Sequence, residues 1–83
     1  MHEMSIALEV CRMTEERLDG EQLERVRTVA LEVGDDAGVE RDNLAFCLEA
    51  LLAEPPFGGA KPLIVRGAGD ALRLSYIEVD DDR

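Results

Sequence analysis

Residues 25–33 have the sequence Arg-Val-Arg-Thr-Val-Ala-Leu-Glu-Val, in which apolar and polar side chains alternate. Alternation with a period of two predicts a β-strand with one buried face. The residues that follow, 34–38, are a cluster of Gly and Asp with one Ala, which is typical of a turn. One face of the strand carries Val29, Leu31 and Val33, and the other carries Thr28, Ala30 and Glu32.

An amphipathic helix is predicted on each side of this strand. Residues 4–18 and 40–53 both repeat apolar side chains at spacings of three and four, which is the helical period. Asp19-Gly20 is expected to end the first helix, with Gly20 in the left-handed conformation that glycine adopts readily. The charged run Glu21 to Arg27 is interpreted as a solvated face that leads into the strand.

Two further strands are predicted near the end of the chain. Residues 60–66 are a short apolar run in which Pro62 indicates an edge position or a strand start. In residues 71–79 the apolar side chains switch from even to odd positions, so a bulge near Ser75-Tyr76 is needed to keep them on one face. The turn-like residues Gly67 to Asp70 suggest that these two strands form a hairpin.

The order helix, strand, helix, strand, strand predicts an α+β fold. We expect a three-stranded mixed sheet with two helices packed on one face. Strands on either side of the second helix would run parallel, and the hairpin would be antiparallel. The second face of the sheet either stays open to solvent or meets a partner.

Composition restricts the classes of function. The 83 residues allow one small domain, 1–83, and their net charge of -10 argues against nucleic-acid binding and against docking on anionic membranes. Acidic residues interrupt the first helix, so no signal peptide is visible, and no apolar run reaches the roughly 20 residues of a membrane span. A cytoplasmic protein with reduced thiols is expected.

The first three residues, Met1-His2-Glu3, place the single histidine next to the terminal amine. A free amine, an imidazole and ionisable backbone amides together form a nitrogen-rich chelate. A square-planar, all-nitrogen site of this kind suits Ni(II) or Cu(II). Met1, His2 and Glu3 are therefore the candidate metal residues, and the Glu3 carboxylate is expected to tune the charge or contact a partner rather than coordinate.

Several segments in the same order resemble the HypA family of nickel-incorporation metallochaperones for nickel–iron hydrogenase and urease. Met1 to Ala7 is similar to the family's opening, and the segment 25–34 to its first strand. Gly38-Val39-Glu40 resembles the entry to its second helix, and residues 67–79 its closing strand. The resemblance extends from Met1 to about Asp80.

The resemblance implies a nickel-binding accessory protein that holds Ni(II) at its N-terminal Met-His-Glu. It also implies two partners, a hydrogenase large-subunit precursor and the GTPase of the nickel pathway. The family's zinc domain, built on two CxxC pairs, is inserted before the closing strand, whereas here Val65-Arg66 leads directly into Gly67. Because a structural zinc site needs four Cys or His ligands, no structural zinc is expected.

Two interpretations of function stay open. Cys11 and Cys47 lie on the apolar helix stripes, which favours a core role over thiol chemistry. No catalytic constellation and no GxxxxGK[ST] loop is visible, so an enzyme, including the GTPase itself, is not expected. The retained Met1-His2-Glu3 favours the metallochaperone. The missing zinc domain favours a non-metal protein-interaction or regulatory subunit that uses the open sheet face or the second helix.

Overall fold

The computed structural model of the protein describes residues 2–80, which form three helices and three strands. The arrangement is the predicted α+β fold with a mixed sheet, and its helix and strand boundaries lie within one or two residues of those expected. One short helix was not predicted. The elements are α1 Glu3–Arg17, α2 Gly20–Glu24, β1 Val26–Gly34, α3 Arg41–Leu52, β2 Lys61–Gly67 and β3 Leu72–Val79.

The connection between β2 and β3 is not a hairpin, and that prediction was wrong. The sheet has the order β2-β1-β3, with β1 parallel to β2 and antiparallel to β3. The connection therefore crosses the end of β1 over two strand spacings, or about 10 Å. It is held there by backbone hydrogen bonds, because the Gly34 N–H donates to the Ala71 carbonyl (2.7 Å) and the Asp36 N–H donates to the Gly69 carbonyl (2.8 Å).

The predicted bulge in β3 is confirmed. Ala30 of β1 pairs with Tyr76 and the next residue, Leu31, pairs with Leu74, so that Ser75 is left without a partner in the ladder. The extra residue shifts the alternation by one position. As a result all four apolar residues in question belong to the core or pack against it, namely Leu72, Leu74, Ile77 and Val79.

The segment after α1 forms the short helix α2, contrary to the prediction of a left-handed Gly20, while the charged side chains from Glu21 to Arg27 are exposed, as expected. Asp19 caps this helix: its Oδ1 accepts from the Gln22 N–H, and Gln22 Oε1 accepts from the Asp19 N–H, both at 3.0 Å. This capping box satisfies two donors at the helix start and makes the short helix favourable. Leu23 then reaches the core and is 6 % exposed.

The core lies between one face of the sheet and the pair α1 and α3, which also pack against each other. Both cysteines are buried, as predicted, Cys11 in α1 and Cys47 in α3. Burial, with a smaller contribution from Glu15, raises the pKa of the Cys11 thiol to about 11. Within residues 2–80 the helices are too short and too polar to cross a membrane.

Candidate metal site at the start of α1

The candidate metal residues are located where α1 begins. Met1 lies outside the described residues, and nothing is assigned to it structurally. His2 is exposed, has an extended backbone (φ -77°, ψ 128°) and occupies the N-cap position without a side-chain capping hydrogen bond. The first backbone bond of the helix runs from the Ile6 N–H to the His2 carbonyl, at 3.2 Å.

This position leaves backbone amides available for metal binding. The first four N–H groups of an α-helix have no acceptor within the helix. In α1 these groups include the amides of His2 and Glu3, since the bond donated by Ile6 is the first one that the helix makes. A metal ion that replaces the protons on these two amides would break no backbone-to-backbone hydrogen bond of the helix.

The Glu3 carboxylate binds the start of α3. Its Oε2 accepts from the Glu40 N–H at 3.0 Å, and its Oε1 accepts from the Asn43 Nδ2 at 2.9 Å. Glu40 in turn caps α3, because its carboxylate accepts from the Asn43 N–H at 2.8 Å. With both oxygens occupied, Glu3 positions the start of α1 against the start of α3.

Hydrogen bonding keeps Glu3 ionised. The bond from the Glu40 N–H, and then the bond from Asn43, lower the pKa of the Glu3 carboxyl below its ordinary value of 4.5. At neutral pH a negative charge is therefore held at the start of the helix. Glu40 and Asn43 were not recognised from the sequence as part of this region, because their contacts with Glu3 join residues 37 and 40 positions apart.

Replacing Glu3 by Gln is expected to lower the melting temperature at pH 7, because the amide offers only one oxygen where two donors converge. The effect depends on pH in a defined direction. A carboxyl whose folded-state pKa is depressed stabilises the fold above its unfolded pKa and loses that contribution as the pH falls through the folded value. The difference between the two proteins should therefore shrink below pH 4.5.

Circular dichroism would measure the melting temperatures of both proteins between pH 3 and pH 8. This range brackets the ordinary pKa of a carboxyl group. Glu15→Gln is the matched control, since Glu15 is exposed on the same helix. A pH-independent gap between wild type and Glu3→Gln would contradict the assigned role of the carboxylate.

No cluster of three or more His, Cys, Asp or Glu side chains that could hold a metal ion occurs within residues 2–80. A chelate at the chain start differs from such clusters, since most of its ligands are main-chain nitrogens. The exposed His2 imidazole is accessible both to a metal ion and to the ligands of another protein.

Comparisons with known proteins give a consistent family. The family model described as "Hydrogenase/urease nickel incorporation, metallochaperone, hypA" matches residues 1–74. The hydrogenase maturation factor HypA of Azotobacter chroococcum is 42 % identical over 71 residues, covering 86 % of this chain and 63 % of that protein. The factor of the same name from Alkalilimnicola ehrlichii is 39 % identical over 74 residues, covering 89 % of this chain and 66 % of the relative.

The matched region thus spans somewhat less than two thirds of the length of these relatives. Among solved structures, the solution structure of the Ni metallochaperone HypA from Helicobacter pylori matches with a TM-score of 0.77. The match covers 95 % of this chain and 97 % of that one at 15 % sequence identity, so it establishes a shared fold.

Proposed function

Because the chain belongs to the HypA family of hydrogenase/urease nickel-incorporation metallochaperones, we propose that it binds Ni(II) at Met1, His2 and Glu3 and delivers it to a nickel–iron hydrogenase precursor. The observation that carries this proposal is the position of His2. It is the exposed N-cap residue of α1, directly before amides that have no acceptor within the helix.

The proposed ligands are four nitrogens: the Met1 amine, the His2 amide, the His2 imidazole and the Glu3 amide. Four nitrogen donors in a plane are a favourable environment for Ni(II). The ion must displace amide protons, and the N-cap position makes this possible without loss of helical hydrogen bonds. Glu3 contributes its amide as a ligand, while its carboxylate fixes the start of the helix through Glu40 and Asn43.

Electrostatics support a cation at this position despite the helix dipole. The N-terminus of a helix carries roughly half a positive charge, which by itself repels a cation. Two deprotonated amides balance the charge of Ni(II), and the ionised Glu3 carboxylate adds a further negative charge nearby. The chain as a whole carries a net charge of -10, which attracts cations over a longer range.

Delivery requires partners, and the family relationship indicates which ones. The proposed partners are the GTPase of the nickel pathway and the hydrogenase large-subunit precursor, both reached in the cytoplasm. The protein acts as a carrier and catalyses no reaction of its own. Its acidic surface favours docking on basic patches of these proteins.

We further propose that residues 1–83 act as one nickel-binding domain without structural zinc. The resemblance implies that the family's zinc domain is inserted between about residues 65 and 67, whereas here β2 continues through Gly67 and the connection to β3 that follows is short and hydrogen-bonded to the end of β1. The two cysteines are buried in the core. The raised pKa of Cys11 disfavours the thiolate that zinc binding needs.

A Ni(II) titration followed by calorimetry and absorbance tests the chelate. The protein is prepared with a free Met1 amine and compared with the same chain acetylated at that amine. We expect one equivalent of Ni(II) to bind the free-amine protein with a d–d band of planar nickel, and the acetylated chain to lose both, because one of four ligands is removed. Equal binding by the two proteins would exclude the terminal site.

A further inference from the structure

The two edges of the sheet differ in how they are protected. The order β2-β1-β3 leaves β2 and β3 each with one side that pairs with no other strand of residues 2–80. At β2, Pro62 lacks a backbone donor and α3 packs against the strand. From Leu72 to Leu74 in β3 there is no proline, and no helix of the described chain packs as closely. An unprotected edge of this kind is a template for pairing with another extended chain.

The free backbone groups of this edge belong to Leu72 and Leu74. The Gly34 N–H donates to the Ala71 carbonyl at 2.7 Å, and this bond sets the phase of the ladder between β1 and β3. Hydrogen-bonded and non-hydrogen-bonded pairs alternate along an antiparallel ladder. Arg73 therefore turns its N–H and C=O toward β1, whereas Leu72 and Leu74 turn theirs outward.

An apolar groove of about 340 Å³ lies directly beside this edge, between β3 and α1. Leu72 and Leu74 form its wall on the strand, and Ile6, Val10 and Met13 form its wall on the helix. The three helix residues follow one another at spacings of four and three, so they make one stripe about 10 Å long. The edge and the groove therefore form one continuous surface.

The groove and the edge together match the dimensions of an extended chain. Side chains at positions i and i+2 of a strand lie on the same face, about 7 Å apart. A strand that pairs with Leu72 and Leu74 would place two of its own side chains beside them, and the stripe on α1 is long enough to cover both. In recognition of this type, backbone hydrogen bonds give affinity and the pockets for alternate side chains give specificity.

The charges around the groove disfavour an acidic segment. Glu9 lines the groove on the side of α1, and it shares the Arg12 guanidinium with Glu16. On the side of the sheet, Arg73 Nε donates to Glu32 Oε1 at 2.8 Å, which neutralises that arginine. The remaining charge is negative, as is the net charge of -10 of the chain, so a basic segment is attracted.

We propose that the edge of β3 and the adjoining groove bind an extended segment of a partner protein, with apolar residues at alternate positions and Lys or Arg at its ends. The segment adds a fourth strand to the sheet through backbone hydrogen bonds with Leu72 and Leu74. Its apolar side chains enter the groove between β3 and α1. The proposal is independent of nickel binding, because the groove does not use the nitrogens proposed as ligands.

Titration of the isotope-labelled full chain with the peptide acetyl-Lys-Val-Thr-Leu-Lys-amide, followed by amide chemical shifts, tests the proposal. Val and Leu occupy the alternate positions that enter the groove. One added strand of this length should bind with a dissociation constant on the order of 1 mM. The shifts should concentrate at Leu72 to Leu74 and at Val10 and Met13.

Hydrogen exchange distinguishes strand pairing from simple apolar binding. The Leu72 and Leu74 amides should exchange rapidly in the free protein, because they face away from β1. They should exchange at least about fivefold more slowly with about 10 mM peptide, which is roughly ten times the expected constant. The Arg73 amide should exchange slowly with and without peptide, because it faces β1.

Variants locate the contact. Met13→Lys is expected to weaken binding of the peptide at least about tenfold, because it places a like charge on the wall of the groove. Leu8→Lys is the matched control, since Leu8 is 53 % exposed on the same helix and lies outside the groove. The peptide acetyl-Glu-Val-Thr-Leu-Glu-amide should bind the wild type at least about fivefold more weakly. Circular dichroism of each variant checks that the fold is retained.

Several results would overturn the proposal. One is the absence of shifts from Leu72 to Leu74 at about 10 mM peptide. Shifts without slower exchange would indicate a small apolar ligand in the groove, and shifts that depend on protein concentration without peptide would assign the edge to a second copy. Equal weakening by Leu8→Lys and Met13→Lys would place the peptide elsewhere, and equal affinity for the acidic peptide would contradict a basic partner.

Discussion

Replacing His2 by Ala is expected to abolish tight Ni(II) binding and to leave the fold unchanged. The imidazole is one of four proposed ligands. Its loss should weaken binding by more than about 100-fold, which exceeds the effect of removing a group that only hydrogen-bonds to a ligand. His2 is exposed, and its side chain makes no capping hydrogen bond. The melting temperature should therefore not change.

The Ni(II) affinity measured in this titration should decrease as the pH is lowered. Protons compete with the metal ion for the amine, amide and imidazole nitrogens, and a protonated nitrogen does not bind a metal. Ni(II) affinity should thus fall steadily as the pH is lowered, with protons released on binding. Cu(II), which binds nitrogen donors at least as strongly, should show the same dependence and the same loss in His2→Ala.

Calorimetry in two buffers of different ionisation enthalpy would measure the proton release and the affinity together. Glu15→Gln serves as the control, because it removes one acidic charge from the exposed side of α1 without touching the proposed ligands. If His2→Ala bound one equivalent of Ni(II) with wild-type affinity, the terminal chelate would be wrong, and residues beyond the chain start would have to supply the ligands.

Gly34→Ala is expected to cause the largest loss of stability. A Cβ at this position would lie 2.1 Å from the Gly69 carbonyl oxygen and 2.8 Å from the Ala68 carbonyl oxygen. Both obstacles are backbone atoms of the connection that crosses the end of β1. The connection has to move away, and its two hydrogen bonds to Gly34 and Asp36 are then lost or stretched.

The cost combines two effects. Each backbone hydrogen bond contributes about 0.5–1.5 kcal/mol, and overpacking costs typically about 1–3 kcal/mol. We therefore expect a loss of about 2–6 kcal/mol, a large part of the roughly 5–15 kcal/mol that stabilises a small protein. Chemical denaturation would give the free energy, and the melting temperature should fall by at least roughly 8 °C, since each kcal/mol lowers it by about 4–8 °C in a domain of this size.

Gly20→Ala is the matched control for this substitution. Gly20 lies in α2 and is not among the glycines with positive φ, and a methyl group added there would meet no packed neighbour within 4 Å. Alanine at this position should be neutral or stabilise by about 0.4–1 kcal/mol, since it reduces the entropy of the unfolded chain. Equal stability of Gly34→Ala and wild type would mean that the connection does not rest on β1.

Periodicity in the sequence was sufficient to locate most of the elements. The local geometry of a helix or a strand fixes the face on which each side chain lies. This is why the spacing of apolar residues predicted helices in residues 4–18 and 40–53 and a strand in residues 25–33. The bulge in β3 was predictable for the same reason, because apolar residues on opposite parities can share a face only if one residue is skipped.

Strand order could not be derived in this way. Gly67 to Asp70 has the composition of a hairpin turn, and nothing local distinguishes a turn between neighbours from a connection across an intervening strand. In the structure β1 occupies the centre and is the most buried strand, with β2 and β3 at the edges. α2 was missed for a different reason, since the Asp19–Gln22 capping box was not recognised.

The candidate site also has one part that can be predicted from the sequence and another that depends on the tertiary structure. Its proposed ligands are nitrogens of consecutive residues, so the sequence alone was enough to name Met1, His2 and Glu3. The role of the Glu3 carboxylate depends on packing: only when α1 lies against α3 do the Glu40 N–H and the Asn43 amide reach it. Ligands that are adjacent in the chain can be inferred from local chemistry, whereas the groups that hold them in place come from distant residues brought together by the core.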